Sequence, residues 1–435
     1  MVTWGAVLER AAYVVFGYTL LYNVPLIVTG IVVVRRSGSS LRSRTRLSAG
    51  AVTALPAGWI VFAMVPCLNE EKVIGPTVRN LLDDQPGVRV VVIDDGSDDA
   101  TAQTAVMAGE GRVTLVRRSL PAARQGKGAA LNAGLSVVRR QVGVEGLDPG
   151  RVLVCVMDAD GRMSPGAAAR VVSLFDDREV GGAQLVVSIR GRSHWALRIQ
   201  DFEFWGLSAL TQLGRIATCT VSMAGNAQFA RLSALDSVGP EPWSASLTED
   251  LDLGISLAAR GWKVVSCTGA FVSQQGLTDP RRLLRQRTRW AQGHMSAITR
   301  LPELWKPGAI GFAGRLELTG YLLVPYLITL PYSVIQQLLL LRLLEGPGPV
   351  PGSPWLSALT CYVMTFAAHL AWAVVYWRRA EDLPLWRAIV CAHLLMPWLY
   401  VSFIACWRAI YRIATGRHGW SKTDRADERT ADGHA

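Results

Sequence analysis

The sequence has few of the residues that build disulfide frameworks and zinc sites. Its 435 residues include 7 cysteines, which are scattered along the chain without a CxxC pair. This pattern fits reduced thiols facing cytosol or lipid and argues against a stapled secreted domain or a zinc module. Charged residues make up only 18%, with 45 Lys and Arg against 34 acids. No basic groove with interleaved aromatic residues is visible, so this positive balance does not indicate a nucleic-acid partner.

Charge is absent altogether from residues 11–34. This apolar run is long enough to cross a bilayer and longer than the apolar core of a cleavable signal peptide. We therefore expect a retained N-terminal transmembrane helix at about 11–34, within a first region 1–50. Five Arg and no acid follow in residues 35–46, which places this flank in the cytoplasm by the positive-inside rule.

Three further apolar segments lie at about 319–341, 355–377 and 386–410. They predict a C-terminal membrane region 311–412, followed by a polar tail 413–435, around a cytoplasmic middle region 51–310. The predicted number of crossings conflicts with the positive-inside rule. Arg378 and Arg379 indicate a cytoplasmic loop, yet a third crossing after them would put the basic end of the chain outside. Either the rule fails there, or one C-terminal segment lies in the interface. The chain is thus predicted to be a multi-pass plasma-membrane protein.

The middle region alternates β-branched runs with helix-like stretches. "VRVVVIDDGSDD" (88–99), "VTLVRR" (113–118) and "RVLVCVMDADG" (151–161) are the clearest strands. Such alternation predicts an α/β domain with a mostly parallel, Rossmann-like sheet, in which ligands bind beyond the carboxyl ends of the strands. Polar residues collect at those ends: Asn69, Asp94, Asp95, Asp158 and Asp160.

Asp158 and Asp160 form a DxD pair directly after a strand. Carboxylates are hard ligands that suit Mg²⁺ or Mn²⁺ bound together with substrate phosphates. An isolated DxD is as often a solvated loop, but its position after "VLVCVM" favours a metal–diphosphate site. Lys127 stands between Gly126 and Gly128 at a predicted helix start, where it could meet a phosphate; an ordinary exposed lysine is the alternative.

A second acidic group, Glu249, Asp250 and Asp252, opens another helix-like stretch. Acids suit the positive end of a helix, and Thr248 could serve as its N-cap. That explanation accounts for where acids are tolerated, but it does not account for the second acidic group at Asp158 and Asp160.

Six motifs follow one another over roughly residues 58–295: "VPCLNEE", "VVVIDDGSDD", "GKGAALNAG", "VMDADG", "TEDLDLG" and "QRTRW". In this order they resemble the motifs of family 2 inverting glycosyltransferases, and the last resembles the QxxRW signature of the membrane-bound processive members. The family includes cellulose, chitin, hyaluronan, chitooligosaccharide and poly-N-acetylglucosamine synthases. The resemblance implies a GT-A type domain placed between transmembrane helices.

The resemblance also implies roles for individual residues. Asp250 would be the catalytic base and Glu249 would position it or the acceptor, whereas Asp252 would only start the helix. The donor would be bound by Pro66, Asn69, Glu70, Asp95, Lys127 and Asp158. A Mg²⁺ or Mn²⁺ ion would be held by Asp158 and, more directly, by Asp160. The acceptor and the diphosphate would be contacted by Gln286, Arg289 and Trp290. For tryptophans outside the motifs, such as Trp195 and Trp205, anchoring at the membrane interface is the simpler reading.

The favoured function is a hexosyl- or N-acetylhexosaminyltransferase that adds sugar from a UDP-sugar to a growing β-linked polysaccharide. "GWSKTDR" (419–425) resembles the ending of poly-N-acetylglucosamine synthases, which favours UDP-N-acetylglucosamine. Membrane lipids and an accessory export subunit or a homo-oligomer are the expected partners. One alternative is a non-processive transferase that adds a single sugar to a lipid carrier or glycolipid, which the QxxRW motif disfavours. The other alternative is a decayed, non-catalytic membrane subunit, which is disfavoured by the intact Asp158, Asp160, Asp250 and Trp290.

Overall fold

A computed structural model describes residues 4–36, 44, 47, 51, 53–344 and 354–417. Most of the basic flank 35–46, the Pro- and Gly-rich residues 345–353 and the 419–425 motif lie outside the described residues. The strands are β1 Ile60–Cys67, β2 Val88–Asp94, β3 Val113–Arg117, β4 Val152–Val156, β5 Arg162–Met163, β6 Val180–Ile189, β7 Gln228–Arg231 and β8 Lys263–Gln274.

The helices lie before, between and after these strands. They are α1 Trp4–Arg36, α2 Ile74–Asp83, α3 Thr101–Gly109, α4 Lys127–Val144, α5 Ala167–Val172, α6 Trp195–Asp201, α7 Ala209–Gly214, α8 Leu232–Val238, α9 Glu249–Ala258, α10 Pro280–Ser296, α11 Leu301–Leu304, α12 Phe312–Val324, α13 Leu330–Leu344, α14 Pro354–Ala380 and α15 Leu385–Ala414. Residues Phe202–Ser208 and Pro325–Thr329 are π-helical.

The eight strands form one sheet in the order β3-β2-β1-β4-β7-β6-β8-β5. Strands β1 to β4 pair in parallel, as predicted. Strand β7 runs antiparallel to both β4 and β6, and β5 runs antiparallel to β8, so the sheet is mixed rather than mostly parallel. The reason lies in the connection. Strand β6 ends at the carboxyl edge, helical residues 195–218 follow it there, and β7 starts from the same edge, so it must run back.

Both faces of the sheet are buried. Along β1, Val61, Ala63 and Val65 join one apolar cluster, while Phe62 and Met64 join the cluster on the opposite face. This alternation is the period-2 pattern of a strand covered on both sides, which explains why its sequence is apolar at nearly every position.

Two helical stretches are long and apolar enough to cross a membrane among the residues that the structure describes. They are Phe312–Leu338 and Leu385–Ala414, which contain most of the predicted segment 319–341 and the whole of 386–410. The predicted segment 355–377 lies within α14. The predicted run 11–34 lies within α1, where Gly17–Val33 is the shorter apolar part. Membrane insertion of these helices stays a prediction.

Helix α1 is fixed to the rest of the molecule by close backbone contacts and one polar network. A Cβ on Gly214 of α7 would lie 2.0 Å from the Leu26 carbonyl oxygen, so only glycine permits this approach. In the network, Glu317 accepts hydrogen bonds from Tyr22 at 3.0 Å and from Arg215 at 3.0 Å. These hydrogen bonds offset the cost of removing the polar groups from water.

Candidate active site

Two acidic motifs that are about 90 residues apart in sequence meet around one lysine. Lys127 Nζ lies 2.7 Å from Asp158 Oδ1 and 3.5 Å from Glu249 Oε1, and it donates to the Gly225 carbonyl at 3.3 Å. A Cβ on Gly225 would lie 2.8 Å from Asp250 Oδ2 and 3.2 Å from Lys127 Nζ. We call Lys127, Asp158, Glu249 and Asp250 the acidic end of the cavity that they line.

A contact between Thr248, just before α9, and α10 helps to place Glu249 and Asp250. Thr248 occupies the N-cap position of α9, as expected, but its side chain makes no capping hydrogen bond. It packs instead under Gly293 of α10, where a Cβ would lie 2.5 Å from Thr248 Oγ1. Asp252, expected only to start the helix, is buried and accepts a hydrogen bond from Ser244. The start of α9 is therefore positioned by tertiary packing, not by a cap.

The electrostatics of the acidic end suit proton transfer and anion binding. Burial, together with the charge of Glu249, raises the pKa of Asp250 to about 7, although Lys127 opposes this. Burial alone would lower the pKa of Lys127, but Asp158 and Glu249 outweigh it and hold that pKa above its ordinary value. A carboxylate with a pKa near neutrality is matched to general-base work, and Lys127 stays a cation.

Most of the predicted donor-binding residues line the same cavity. Pro66, Glu70 and Asp95 are on its wall together with Lys127 and Asp158. Arg118 donates a hydrogen bond to Asp95; burial raises the pKa of Asp95, against the lowering effect of Arg124 and Arg118. Arg118 was not singled out from the sequence, where it reads as the end of "VTLVRR".

Asn69 is not on the cavity wall, although its neighbours Leu68 and Glu70 are. It joins the loops after β1 and β2, because its Oδ1 accepts from the backbone N–H of Asp98 at 2.8 Å. Its backbone N–H donates to Ser97 Oγ at 3.0 Å. Asn69 therefore connects two loops beside the cavity, and its contact with the donor stays a prediction.

The two members of the DxD pair are placed differently. Asp158 lines the cavity, whereas the fully buried Asp160 is not on the described wall; its Oδ2 accepts from the Gln275 backbone N–H at 3.0 Å. That Asp160 is the more direct metal ligand stays a prediction. Among the described residues, no three His, Cys, Asp or Glu side chains form a metal-binding group. Asp158 and Glu249 nevertheless already face a cation, the Lys127 ammonium. Their carboxylate oxygens therefore suit a hard metal cation, whose remaining ligands would come from the substrate phosphates.

Helix α10 brings the QRTRW motif to the cavity, because Gln286, Arg289 and Trp290 all line it. Arg287, the second residue of the motif, donates to Glu203 Oε1 at 3.0 Å and to Oε2 at 2.7 Å. Its guanidinium lies 4.8 Å from the Trp290 ring centroid and 5.4 Å from that of Phe204. Glu203, Phe204 and Arg287 all line the cavity. The sequence assigns them no role: Glu203 and Phe204 lie outside every motif, and Arg287 is a variable position of the QxxRW pattern.

The cavity, of about 560 Å³, continues from the acidic end to the two long apolar helical stretches. We call this second part the helical end. Its wall is formed by Tyr321, Val324, Pro325 and Thr329 of one stretch and by Ser402, Ala405 and Cys406 of the other. One chamber therefore joins carboxylates and a lysine to small and apolar side chains of helices α12 and α15.

Two curated relatives and one solved structure are informative. The chain is 33% identical over 291 residues to a beta-monoglucosyldiacylglycerol synthase of Synechocystis sp., covering 64% of this chain and 57% of the relative. It is 30% identical over 306 residues to the enzyme of that name from Trichormus variabilis, covering 67% and 61%. The chain thus spans about three fifths of the length of these relatives.

Among solved structures, the mannosyltransferase PcManGT from Pyrobaculum calidifontis resembles the chain with a TM-score of 0.53. The match covers 89% of this chain and 99% of that one at 16% identity, so it supports the fold. That protein was solved with GDP-Man and Mn²⁺, and the expected divalent cofactor is in keeping with it.

The family model described as "Glycosyltransferase like family 2" matches residues 56–293. This range contains the whole mixed sheet, the acidic end of the cavity and the QRTRW helix, and it makes up more than half of the chain. The chain therefore belongs to the glycosyltransferase-like family 2 and carries its GT-A type α/β domain.

Proposed function

We propose that the protein is a membrane-associated inverting glycosyltransferase that moves a single sugar from a nucleotide-sugar to a hydroxyl group of a membrane lipid. The observation that carries this proposal is the shared cavity: its acidic end suits sugar transfer, and its helical end suits acyl chains. An acceptor that fills both ends has a polar head and an apolar tail. The relatives named as beta-monoglucosyldiacylglycerol synthases support a diacylglycerol-type acceptor and a glucosyl donor.

In this mechanism Asp250 takes the proton from the acceptor hydroxyl while its oxygen attacks the anomeric carbon. The bond from that carbon to the diphosphate breaks in the same displacement, which converts an α-linked donor into a β-linked product. Glu249 keeps the pKa of Asp250 raised, and Lys127 and Arg289 stabilise the charge on the departing diphosphate. A divalent ion, when bound, neutralises part of that charge; Asp158 on the cavity wall would hold it. Trp290 offers an aromatic face to the sugar ring.

Processive polysaccharide synthesis is the second candidate, because the QRTRW motif does lie on the cavity wall. The preference for N-acetylglucosamine depended on residues 419–425, outside the described part of the chain. The lipid acceptor is favoured over a polymer because it accounts for the helical end as well as the acidic end.

Product analysis with purified full-length protein tests this proposal. UDP-glucose, UDP-galactose, UDP-N-acetylglucosamine and GDP-mannose are each supplied with Mn²⁺, with and without diacylglycerol in mixed micelles. We expect one lipid-soluble monoglycosylated product that requires diacylglycerol, with the UDP-hexoses as donors. A water-soluble ladder of oligosaccharides formed without lipid would overturn the proposal in favour of a polysaccharide synthase.

A further inference from the structure

Helix α15 is tied to the catalytic half of the molecule at both of its ends. In the turn before the helix, Asp382 accepts from Arg192 Nε at 2.9 Å and from Arg198 Nη1 at 2.8 Å. At the other end, Arg412 Nε donates to Gln292 Oε1 at 2.7 Å. Gln292 Nε2 donates in turn to the Arg417 carbonyl at 2.8 Å, just after the helix.

Both anchoring elements are polar parts of the catalytic half. Arg192 and Arg198 follow β6 of the sheet, and Gln292 belongs to α10, which carries five Arg and lines the active-site cavity. A helix of 30 residues is about 45 Å long. If α15 crossed a bilayer, its ends would be separated by about 30 Å of hydrocarbon, and one of these anchors would lie on the far side.

Contacts with the catalytic half continue along the length of the helix. Ala388, Ala392 and Leu395 share an apolar cluster with residues of β6, α6 and the π-helix Phe202–Ser208. The rings of Trp398 and Trp195 lie 6.1 Å apart, edge to face. Ser402 and Cys406 then line the cavity. One side of the helix therefore lies against the protein from its first turn to its last.

The opposite side of α15 is covered in part, because His393 packs against Tyr362 and Phe366 of α14 and Trp407 Nε1 donates to Ser333 Oγ of α13 at 3.0 Å. The remainder of that side is apolar and exposed among the described residues. It exposes Ile389, Val390, Leu394, Ile404, Trp407 and Tyr411. Such a surface needs an apolar environment, and Trp and Tyr favour the headgroup level of a bilayer. An amphipathic or apolar helix can meet that need by lying in the membrane surface without crossing it.

We propose that α15 lies in the plane of the membrane surface, with its exposed apolar side among the acyl chains of the facing monolayer and its other side covering the helical end of the cavity. The turn at Asp382 and the chain at Arg417 are then on the same side as the catalytic half. This arrangement resolves the topological conflict in the sequence, because Arg378, Arg379 and the basic end of α15 all lie on one face. The inference rests on the membrane association in the proposed function, but not on the sugar or the acceptor.

Depth measurements on the full chain in bilayers test this orientation. Nitroxide labels are attached singly at Val390→Cys, Ile404→Cys and Tyr411→Cys, in a chain whose 7 native cysteines have been replaced and which remains monodisperse. The outer two positions are about 32 Å apart along the helix axis. We expect all three labels at similar, shallow depths below the headgroups. Depths that differ by about 20 Å or more, or labels that all remain in water, would overturn the proposal.

Labels on a second helical stretch provide the matched control. Leu316→Cys, Leu327→Cys and Leu341→Cys are exposed positions on α12, the π-helical turn and α13; if that stretch crosses the bilayer, Leu327 lies deepest. Sidedness is checked with a membrane-impermeant thiol reagent on Thr415→Cys and on the exposed Met107→Cys of α3. Both should react from the same side, and reaction from opposite sides would contradict an in-plane α15. These readouts measure position and not product, so they stay distinct from a failure of the proposed activity.

Discussion

The acidic end and the helical end of the cavity are built in different ways. At the acidic end, Asp158 follows strand β4 and Lys127 starts a helix after a glycine turn, while Glu249 and Asp250 are placed by the contact of Thr248 with α10. At the helical end, the wall comes from positions such as Tyr321 and Ala405, which lie far apart in sequence and on helices outside the sheet. Strand topology therefore places half of the acidic end, whereas packing between distant helices places the whole of the helical end.

Their chemistry differs in the same way. The acidic end concentrates charge, and its groups shift one another's pKa values, as Asp250 and Lys127 do. The helical end is lined mainly by apolar and small side chains, which in the proposed function would select the acceptor without taking part in bond making. If this division is correct, substitutions at the two ends should alter different kinetic parameters.

The largest effect is expected for Asp250→Asn. The change keeps the shape of the side chain but removes the group that accepts the proton, so kcat should fall about a hundredfold or more. The KM for the nucleotide-sugar should stay within about twofold, since this carboxylate makes no donor contact in the mechanism. Steady-state rates of nucleotide diphosphate release in one detergent preparation give both values.

Asp252→Asn is the matched control, two residues along the same helix. Asp252 accepts from Ser244 and lies 3.2 Å from Arg300, so weakening these buried contacts should cost about 1–3 kcal/mol of folding stability. Its kcat should stay close to that of the parent once the folded fraction is matched by thermal melting. If Asp250→Asn and Asp252→Asn lose the same fraction of kcat, Asp250 is not the catalytic base.

An intermediate effect is expected at the Glu203–Arg287 pair on the cavity wall. Arg287→Lys keeps the positive charge but loses the bidentate hydrogen bonds and the planar contact with Trp290. Contacts of this kind are worth about 1–2 kcal/mol, so the acceptor KM should rise about five- to thirtyfold with an unchanged donor KM. Glu203→Gln should act in the same direction, and the double variant should be less than additive because both break one interaction. Additive effects, or a rise in donor KM, would show that the pair does not position the acceptor side.

The sequence predicts the features that strand topology places better than those that distant helices place. The parallel strands β2, β3 and β4 can be predicted because their runs are rich in β-branched residues and end in polar residues. The grouping of Asp95, Lys127 and Asp158 follows from that topology. The antiparallel course of β7 was not readable, since its four residues carry no alternation and its direction depends on helices 195–218. The resemblance supplied Asp250, and the structure placed it beside Lys127.

The residues that were missed have physical reasons in common. Glu203 and Arg287 are 84 residues apart, and Glu203 lies on a π-helix, where the ordinary helical spacing assigns side chains to the wrong face. Trp205 was expected to anchor at an interface, but it is fully buried with the guanidiniums of Arg44 and Arg379 at 4.9 and 4.4 Å from its ring. Nothing in the neighbouring sequence records such long-range partners.

The smallest effect, and the sharpest test of the comparison, is expected at the helical end for Ala405→Leu. Ala405 is buried and lines the cavity on α15, so the added carbons should occupy space that the proposed acyl chains use. Acceptors with long chains should lose about two- to fivefold in kcat/KM, an effect of under about 1 kcal/mol, whereas short-chain acceptors and the donor KM should be unaffected. Ala409→Leu, one turn later, also enlarges a buried alanine but is not on the cavity wall. Both variants should lose some stability through overpacking, about 1–3 kcal/mol, so only dependence on chain length separates them. The measurement is the rate of both variants over a series of diacylglycerols of increasing chain length. If the rate depends on chain length in the same way in both variants, the helical end does not hold the acyl chains. The proposed division between the two ends would then be wrong.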